Sequence, residues 1–192
     1  MNRTSVEAIE FMVREATPDD VPAIRALMLR VFEDDYGYGY HPQWHADYDD
    51  LQGTYLDNPR HTLMLVVDGS SGEIAGMAGV RSGGPTSPQW LAERYQPAER
   101  TARIVRVFVH AGYRRRGIGR LLVEELRRFV QRVGGYDVIC LQTETAVDFW
   151  QAFGGRLMHD GRADSPPEEA VHFELDTLPV TTCTLRSALA VR

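Results

Sequence analysis

The sequence predicts an α/β fold, and three observations lead to that prediction. First, an apolar and β-branched run over 103–109 is followed by a basic, glycine-containing loop and then by a helical pattern from Gly117 to Val133. Second, strand-like and helix-like segments are interleaved along most of the chain, as in domains whose helices pack on a sheet. Third, strand-like runs over 62–67 and 73–81 flank the turn sequence DGSSG, which indicates an antiparallel hairpin.

The first half of the chain is predicted to supply one strand and two helices before this hairpin. Residues 1–10 are expected to form a flexible leader, and a first strand covers 11–16. Thr17 precedes a proline and two aspartates, which is the composition of a helix start with a capping hydroxyl. A second, short helix is predicted over 45–57 and ends before Pro59. The apolar face of the first helix consists of Val21, Ile24, Met28, Val31 and Phe32.

The second half is predicted to complete the sheet. The connection over 82–100 is rich in Gly, Pro and Ser, and both a functional lid and an inert insertion are open for it. The helix that follows Gly117 ends at Gly134. Its apolar stripe consists of Ile118, Leu122, Leu126, Phe129 and Val133. A strand over 137–142, a short helix over 146–155, strands over 157–159 and 170–175, and a tail over 177–192 follow. We therefore expect one domain over 11–176.

Composition limits the classes of function. The chain of 192 residues is 43% hydrophobic and 25% charged, as in ordinary soluble domains. No apolar stretch approaches the ~20 residues that span a bilayer, and the N-terminus lacks the apolar segment of a signal peptide. We therefore expect no membrane association and a cytoplasmic location.

Charge and cysteine content bear on partners. The net charge of −6 argues against nucleic acid as a partner and would suit a cationic acceptor. Cys140 and Cys183 suggest neither a disulfide framework nor a metal site. The chain is expected to be a monomer or a homodimer.

The loop before the long helix has the properties of a phosphate site. A helix N-terminus carries unpaired N–H groups and the positive end of the helix dipole. Gly117 and Gly119 leave room for an anion to reach those groups. Positive charge comes from Arg114, Arg115, Arg116 and Arg120. The alternative is an exposed turn with solvated arginines. The loop lacks the Gly-Lys-Ser/Thr ending of a P-loop and the third glycine of a dinucleotide fingerprint.

This loop resembles the acyl-CoA loop of the GCN5-related N-acetyltransferase (GNAT) family. The motif of that family, Arg/Gln-x-x-Gly-x-Gly/Ala after an apolar strand, is matched by RRRGIG at 114–119, which follows the run VFV at 107–109. The predicted order of elements over 12–176 is also similar to the order in that family. A second, partial match lies over 143–155. In it Ala146 and Phe149 match, whereas Thr143, Trp150 and Gly155 replace the usual Asn, Tyr and Phe.

The resemblance implies a fold and a reaction. The fold is a mixed, mostly antiparallel central sheet of about six to seven strands flanked by about four helices. The reaction is direct transfer of an acetyl group from acetyl-CoA to an amine of a small-molecule or peptide acceptor. The pyrophosphate would bind the loop, and pantetheine would pair with the backbone of Val107 and Val109. The Val109 N–H would stabilise the oxyanion. The implied cofactor contacts are Val107, Phe108, Val109, Arg114, Arg115, Arg116, Gly117, Ile118, Gly119, Arg120 and Trp150.

The same resemblance leaves the catalytic residues unassigned. Arg103 aligns with the glutamate that is the base in the histone-acetylating branch of the family, and Trp150 replaces the tyrosine that many relatives use as general acid. Candidates chosen by proximity alone are Tyr38, His41, His45, His110, Gln142 and Glu144. A catalytically weak acyl-CoA sensor of the same fold is therefore an alternative to an enzyme. A nucleotide or RNA module is a third interpretation, which the net acidity disfavours.

An aromatic and acidic stretch over 33–50 is unusual for this chain. Its aromatic residues are Tyr36, Tyr38, Tyr40, Trp44 and Tyr48. They either line a pocket or cap a hydrophobic cluster beneath the first two helices. His41 and His45 are four residues apart, but Pro42 disfavours the helix that would align them as metal ligands, and no metal is expected.

Overall fold

The described part of the chain forms one seven-stranded sheet. The computed structural model describes residues 11–86, 88–143, 145–159 and 171–177, so the predicted leader and nearly all of the predicted tail lie outside it. The strands are β1 (Phe11–Glu15), β2 (Thr62–Asp68), β3 (Ile74–Ser82), β4 (Thr101–Val109), β5 (Val138–Thr143), β6 (Arg156–His159) and β7 (Val171–Leu175), in the order β1-β2-β3-β4-β5-β7-β6. All neighbouring strands are antiparallel except β4 and β5. The predicted mixed, mostly antiparallel α/β sheet is confirmed.

Helices cover both faces of this sheet. The α-helices in the described residues are α1 (Val21–Asp34), α2 (Ala46–Asp49), α3 (Gln89–Arg94), α4 (Ile118–Val133) and α5 (Val147–Ala152). The helix predicted over 45–57 is divided, because Asp50 leaves the helical conformation and a π-helical turn over Gln52–Leu56 follows. In the described residues, no helix has both the length and the apolar character that a membrane span requires.

The first helical turn begins where the sequence predicts, with Thr17 as the N-cap in a capping box with Asp20. The Asp20 carboxylate accepts the backbone N–H of Thr17 at 2.8 Å and the Thr17 hydroxyl at 2.9 Å. Arg14 of β1 donates to the same carboxylate at 2.7 Å. Thr17 and this carboxylate therefore cap the helix start together and fix the chain direction at this corner;.

Two apolar cores lie on opposite faces of the sheet. On one face, α4 buries four of the five residues of its predicted stripe, from Ile118 to Phe129, while Val133 is half-buried at the end. On the other face, α1 and the turn after α2 bury Phe32 and Tyr55 against the sheet. Burial of such large side chains contributes roughly 1.5–3 kcal/mol each.

A β-bulge in β4 reverses the faces of the sheet to which the side chains of its second half point. Arg106 has a left-handed φ of 55°, and the register with β3 shifts between Met77 and Gly79. Ile104 packs in the α4-side core, whereas Phe108 packs in the α1-side core. Residues four apart share a face in a regular strand, so one extra residue must lie between them. Such a bulge bends the strand and interrupts its pairing.

The pairing of β4 with β5 ends just before this bulge. The parallel ladder runs from Thr101 opposite Val138 to Ile104 opposite Leu141. Both strands continue beyond it but no longer pair with each other. A gap therefore opens between their carboxyl ends. Thr101, Ala102 and Ile104 are buried, whereas residues 105–107 of this apolar run are half-exposed beside the gap.

The connection over 82–100 is packed against the sheet. Leu91 of α3 and the following Tyr95 are buried beside β5. The Tyr95 hydroxyl donates to the buried Glu174 carboxylate of β7 at 2.9 Å, and Arg94 donates to the same oxygen at 2.5 Å. These bonds tie the connection to the second half of the sheet.

A substitution at Gly76 of β3 would test the packing of α4 on the sheet. A Cβ at this position would lie 2.8 Å from Ile118 Cγ2 and 2.9 Å from the Phe108 carbonyl oxygen. We expect Gly76→Ala to lower the free energy of unfolding by about 1–3 kcal/mol, measured by urea denaturation. Gly39→Ala is the control, because a Cβ there meets nothing within 4 Å, and its effect should stay within about 0.5 kcal/mol. Equal stability of the two variants would contradict this packing.

Candidate active site

A cavity of about 630 Å³ occupies the gap between β4 and β5. One wall is β4 from Arg103 to Phe108, and the facing wall is the end of β5 together with Phe149 and Trp150 of α5. The loop between α1 and α2 contributes three aromatic lining residues, Tyr36, Tyr38 and Trp44. The other polar lining residues are Gln43, Asp47, Arg81, Arg103, Arg106, Gln142, Thr143, Thr145 and His172.

The aromatic stretch over 33–50 fulfils both functions that the sequence left open. Tyr36 and Tyr38 stack with ring centroids 5.6 Å apart, pack on the α1-side core and line the cavity. Tyr40 and Tyr48, whose ring centroids are 5.0 Å apart, form a separate pair outside the lining. The stretch is therefore a cavity wall built on a hydrophobic cluster.

The edge of β4 turns backbone polar groups toward the gap. The N–H of His110 donates to the Ala75 carbonyl at 3.0 Å, so the pairing groups of Val109 point away from β3 by the alternation of an antiparallel ladder. Accordingly, the Val109 carbonyl accepts Arg114 Nε at 3.1 Å on that other side. The Val109 N–H has the same orientation and faces the gap that β5 has left.

The loop before α4 presents cations and N–H groups together. Gly117 is the N-cap of α4 with φ 82°, and Arg115 is also left-handed at 65°. Arg114 forms an ion pair with Asp35, the residue that follows α1, in addition to its bond to Val109. In the described part of the chain, Arg115 and Arg116 form no ion pair. The first turn of α4 and these two arginines are the groups that could hold a pyrophosphate-like anion.

Phe149 joins the helix N-terminus to the cavity. A Cβ at Gly119 would lie 3.5 Å from the Phe149 ring, and Phe149 is itself a lining residue. Its neighbour Trp150 is buried in the α4-side core and also borders the cavity. An elongated ligand bound at the loop can therefore continue past α5 into the gap.

A buried ion pair holds the bulge of β4. Arg106 donates to Asp47 through Nη2 at 2.6 Å and through Nε at 3.0 Å, and the Tyr55 hydroxyl donates to Asp47 at 2.6 Å. Burial raises the pKa of the Asp47 carboxyl, but the bonds from Arg106 and Tyr55 outweigh burial and hold that pKa below its ordinary value. Asp47 is therefore ionised at neutral pH and fixes the left-handed residue of the bulge.

Two further arginines lie at the end of the cavity where the ladder stops. Arg81 of β3 and Arg103 of β4 are direct cross-strand partners. Arg103 donates to Gln142 Oε1, and the Gln142 amide nitrogen lies 3.1 Å from His172 Nε2. Burial lowers the pKa of the Arg103 guanidinium, and Arg81 adds to this decrease as a nearby like charge. Neither arginine forms an ion pair with a carboxylate of the described residues.

A family model decides what kind of protein this is. The model for the acetyltransferase (GNAT) family matches residues 24–154. The chain belongs to the GNAT family. The cosubstrate of this family is acetyl-CoA, and the resemblance drawn from the loop at 114–119 is confirmed.

Solved structures show the same fold. A GNAT-family acetyltransferase of Staphylococcus aureus Mu50 is 16% identical with a TM-score of 0.67, over 88% of this chain and 100% of that one. A GCN5-related N-acetyltransferase of Kribbella flavida is 22% identical with a TM-score of 0.61, over 86% and 97%. The GNAT family N-acetyltransferase YhbS of Escherichia coli, solved in complex with CoA, is 19% identical with a TM-score of 0.60, over 90% and 85%. No curated protein matches the sequence.

The catalytic candidates named from the sequence are scattered around this GNAT cavity. Tyr38 and Gln142 line it. His45 does not line the cavity: its ring stacks on Phe32, with ring centroids 3.8 Å apart, and its Nδ1 accepts the backbone N–H of His41 at 3.0 Å. Burial lowers the pKa of the His45 imidazole. His110 caps the turn after β4 by accepting the Gly112 N–H at 3.3 Å. Glu144 lies outside the described residues.

The sequence interpretation missed Asp47, Arg81, Arg106 and His172 as lining residues. One signal was available, since a charged residue within an otherwise apolar strand, such as Arg81 or Arg106, must be paired or face a cavity. Asp47 gave no such signal among the many acids of its loop. In the described residues no group of three or more His, Cys, Asp or Glu is arranged to hold a metal ion.

Replacing Asp47 by Asn tests the bulge network. The change leaves the half-buried Arg106 charge without its carboxylate, so we expect Asp47→Asn to lower the free energy of unfolding by up to about 3–5 kcal/mol at pH 7, the range for a fully buried pair. Because the Asp47 pKa is depressed in the folded protein, its stabilising effect is fully present above an unfolded pKa of ~3.9 and is lost as pH falls toward the folded pKa. The gap between wild type and variant should therefore shrink below about pH 4.

Denaturant midpoints at several pH values measure this gap. Asp137→Asn is the control, since Asp137 pairs with Arg100 on the surface, where loss of an ion pair has little effect. Equal effects of the two substitutions, or a gap that does not change with pH, would contradict the proposed importance of the buried pair.

Proposed function

We propose that the protein transfers an acetyl group from acetyl-CoA directly to an amine of a small-molecule or peptide acceptor. The observation that carries this proposal is the continuity between the gap in the sheet and the basic N-terminus of α4, through Phe149. A ligand with an anionic end and a peptide-like arm suits such a site, because the anion meets helix N–H groups and the arm meets an unpaired strand edge. The cosubstrate of the family has this form.

The pyrophosphate would be held at the start of α4. Arg115 and Arg116 would provide the charges, together with the backbone N–H groups of 118–120. Arg114 acts indirectly, since its bonds to Asp35 and the Val109 carbonyl fix the loop to β4. Arg120 Nη1 lies 3.6 Å from Glu124 Oε1, so the positive charge that Arg120 would bring to the anion site is partly neutralised.

The pantetheine arm would lie along the free edge of β4. The amide groups of the arm would pair with the backbone of Val107 and Val109 as an added strand. Phe149 and Trp150 on the facing wall supply an apolar surface. Such a surface excludes water from the reacting atoms, which strengthens electrostatic interactions there.

Bound acetyl-CoA supplies an activated thioester. The pantetheine arm separates the thioester from the pyrophosphate, so the thioester would lie beyond Val107, beside the bulge of β4. Its carbonyl oxygen gains negative charge when the amine attacks, and a backbone N–H left unpaired by the bulge would stabilise that charge. The attacking amine must be neutral. Asp47 is a weak proton acceptor because Arg106 and Tyr55 hold its pKa low, and the Trp150 indole has no acidic proton to give. The proton that the attacking nitrogen loses therefore passes to a group other than Asp47, and CoA leaves as a thiolate that Trp150 does not protonate.

A catalytically weak acyl-CoA sensor is the second candidate. It is favoured by Arg103 and Trp150, which stand where relatives keep a base and an acid. The two functions share the cofactor site and differ in turnover, so release of free CoA thiol with a panel of amines separates them.

Binding of acetyl-CoA is the first test. We expect acetyl-CoA at about one hundred times its Kd to stabilise the protein by about 2.7 kcal/mol, which is roughly 5–11 °C in Tm for a chain of this size. Gly119→Glu should abolish this shift, because it places bulk and negative charge at the anion site. It should leave the free protein folded, because an acidic side chain in the first turn stabilises a helix. The added Cβ would also make only ordinary van der Waals contacts with Phe149.

The matched control is Arg128→Glu, which makes a larger charge change on the exposed part of the same helix, beside Glu125. It should retain the full shift in Tm with acetyl-CoA. A normal shift for Gly119→Glu would mean that the pyrophosphate binds elsewhere.

A further inference from the structure

We propose that the acceptor of this enzyme carries an anionic oxygen group, a carboxylate or a phosphate, in addition to its amine, and that Arg81 and Arg103 bind that group. This inference rests on the proposed function and specifies the substrate class of the same cavity.

The register of the sheet places the two arginines next to each other. Arg81 and Arg103 stand directly opposite each other on β3 and β4, and both line the cavity. Like charges at directly opposed positions destabilise a sheet. An anion between them removes that repulsion, and a guanidinium pair offers the forked donors that carboxylate and phosphate oxygens accept.

The charges are not neutralised within the described protein. Of the three arginines in the cavity lining, Arg106 is matched by Asp47, which is the single carboxylate among the described lining residues. Arg81 and Arg103 are left without a carboxylate partner among the described residues. The described lining residues thus carry an excess of two positive charges, in a chain whose net charge is −6. Such local charge points to a discrete anion in the ligand.

Arg103 is also held in place before any ligand arrives. It donates to Gln142 Oε1, so the Gln142 amide group is turned toward His172 Nε2, at 3.1 Å. On the other side, the Arg81 guanidinium lies 6.0 Å from the centre of the Tyr55 ring. Preorganised donors bind an anion with a smaller loss of conformational freedom.

The position of the pair suits an acceptor rather than the cofactor. Arg103 precedes Val107 by four residues on β4, at most about 13 Å at the usual strand rise, because the bulge between them shortens the path. The proposed thioester position is beside this bulge, and the proposed pantetheine and pyrophosphate sites lie further along, at Val107, Val109 and α4. The anion would therefore bind on the far side of the reacting centre, with the amine directed toward the bulge. A cationic acceptor, which overall acidity suggested, would meet two like charges there.

Matched pairs of amines test the proposal. We would measure CoA thiol release with 4-aminobutyrate against butylamine, 6-aminohexanoate against hexylamine, and O-phosphoethanolamine against ethanolamine. In at least one pair the anionic member should have a kcat/KM about tenfold to a hundredfold higher, the range expected for hydrogen bonds to a charged group. The pair that shows the preference distinguishes carboxylate from phosphate and reports the distance from amine to anion.

Charge-removing variants locate the effect. Arg103→Gln should bring the ratio within the responding pair close to one by raising KM for the anionic member, and Arg81→Gln should reduce the ratio. Arg128→Gln removes the same charge from the exposed face of α4 and should leave the ratio unchanged. A retained Tm shift with acetyl-CoA shows that each variant is folded.

Two outcomes overturn the inference. One is turnover in which neutral amines are preferred in every pair, which would leave the proposed transferase function intact. The other is a preference for anionic acceptors that persists in Arg103→Gln and Arg81→Gln. If no amine releases thiol, the transfer reaction fails, and the same pairs are compared by Tm shift in the presence of CoA. A shift confined to anionic members and lost in Arg103→Gln supports the site, and equal shifts refute it.

Discussion

The bidentate ion pair between Arg106 and Asp47 is the interaction on which the cavity depends. A non-glycine residue in the left-handed region costs about 1–3 kcal/mol and persists only where surrounding contacts impose it. Here the contacts are two hydrogen bonds to a buried carboxylate, 2.6 and 3.0 Å long, and a third bond from Tyr55 that fixes the carboxylate. The bulge that results ends the pairing of β4 with β5, and the gap between these strands is the cavity. One pair of side chains thus links the fold to the site.

The β4–loop–α4 unit places two kinds of backbone donor in line. The free edge of β4 ends at Val109, and the unpaired N–H groups of α4 begin at Ile118, with Arg114 bonded to Val109 between them. A long ligand can therefore contact strand edge and helix terminus without a break. At the opposite end of the cavity, before the bulge of β4, the polar lining consists of charged side chains instead of backbone groups. Arg81 and Arg103 supply two guanidiniums there.

Local sequence patterns predicted most of the elements because each carries its own periodicity. The alternation around DGSSG, the apolar stripe from Ile118 to Phe129 and the glycines after Val133 are readable without knowledge of neighbours. The strand–loop–helix at 103–133 also indicates the region that is proposed to bind the cofactor. The helix over 45–57 was placed correctly, but its division at Asp50 depends on one backbone conformation that the pattern does not reveal.

The features that shape the site depend on contacts distant in sequence. The run VRVFV has the pattern of a regular strand, and nothing within it reveals the left-handed conformation of Arg106. That conformation is held by Asp47, which lies 59 residues earlier in the sequence. The pairing of Arg81 with Arg103 requires the β3–β4 register, and the packing of 82–100 requires Glu174 of β7. For the same reason, the aromatic stretch could be recognised as unusual, while its contribution to the cavity wall could not be deduced.

The central claim is that the gap between β4 and β5 binds acyl-CoA, and amide hydrogen exchange with and without acetyl-CoA tests it most directly. The account predicts slower exchange on binding in two segments, the free edge at 105–109 and the loop and first turn at 114–120, with little change in β1 and β2. Protection in other segments with none at 105–109 would contradict the account, even if acetyl-CoA binds the protein.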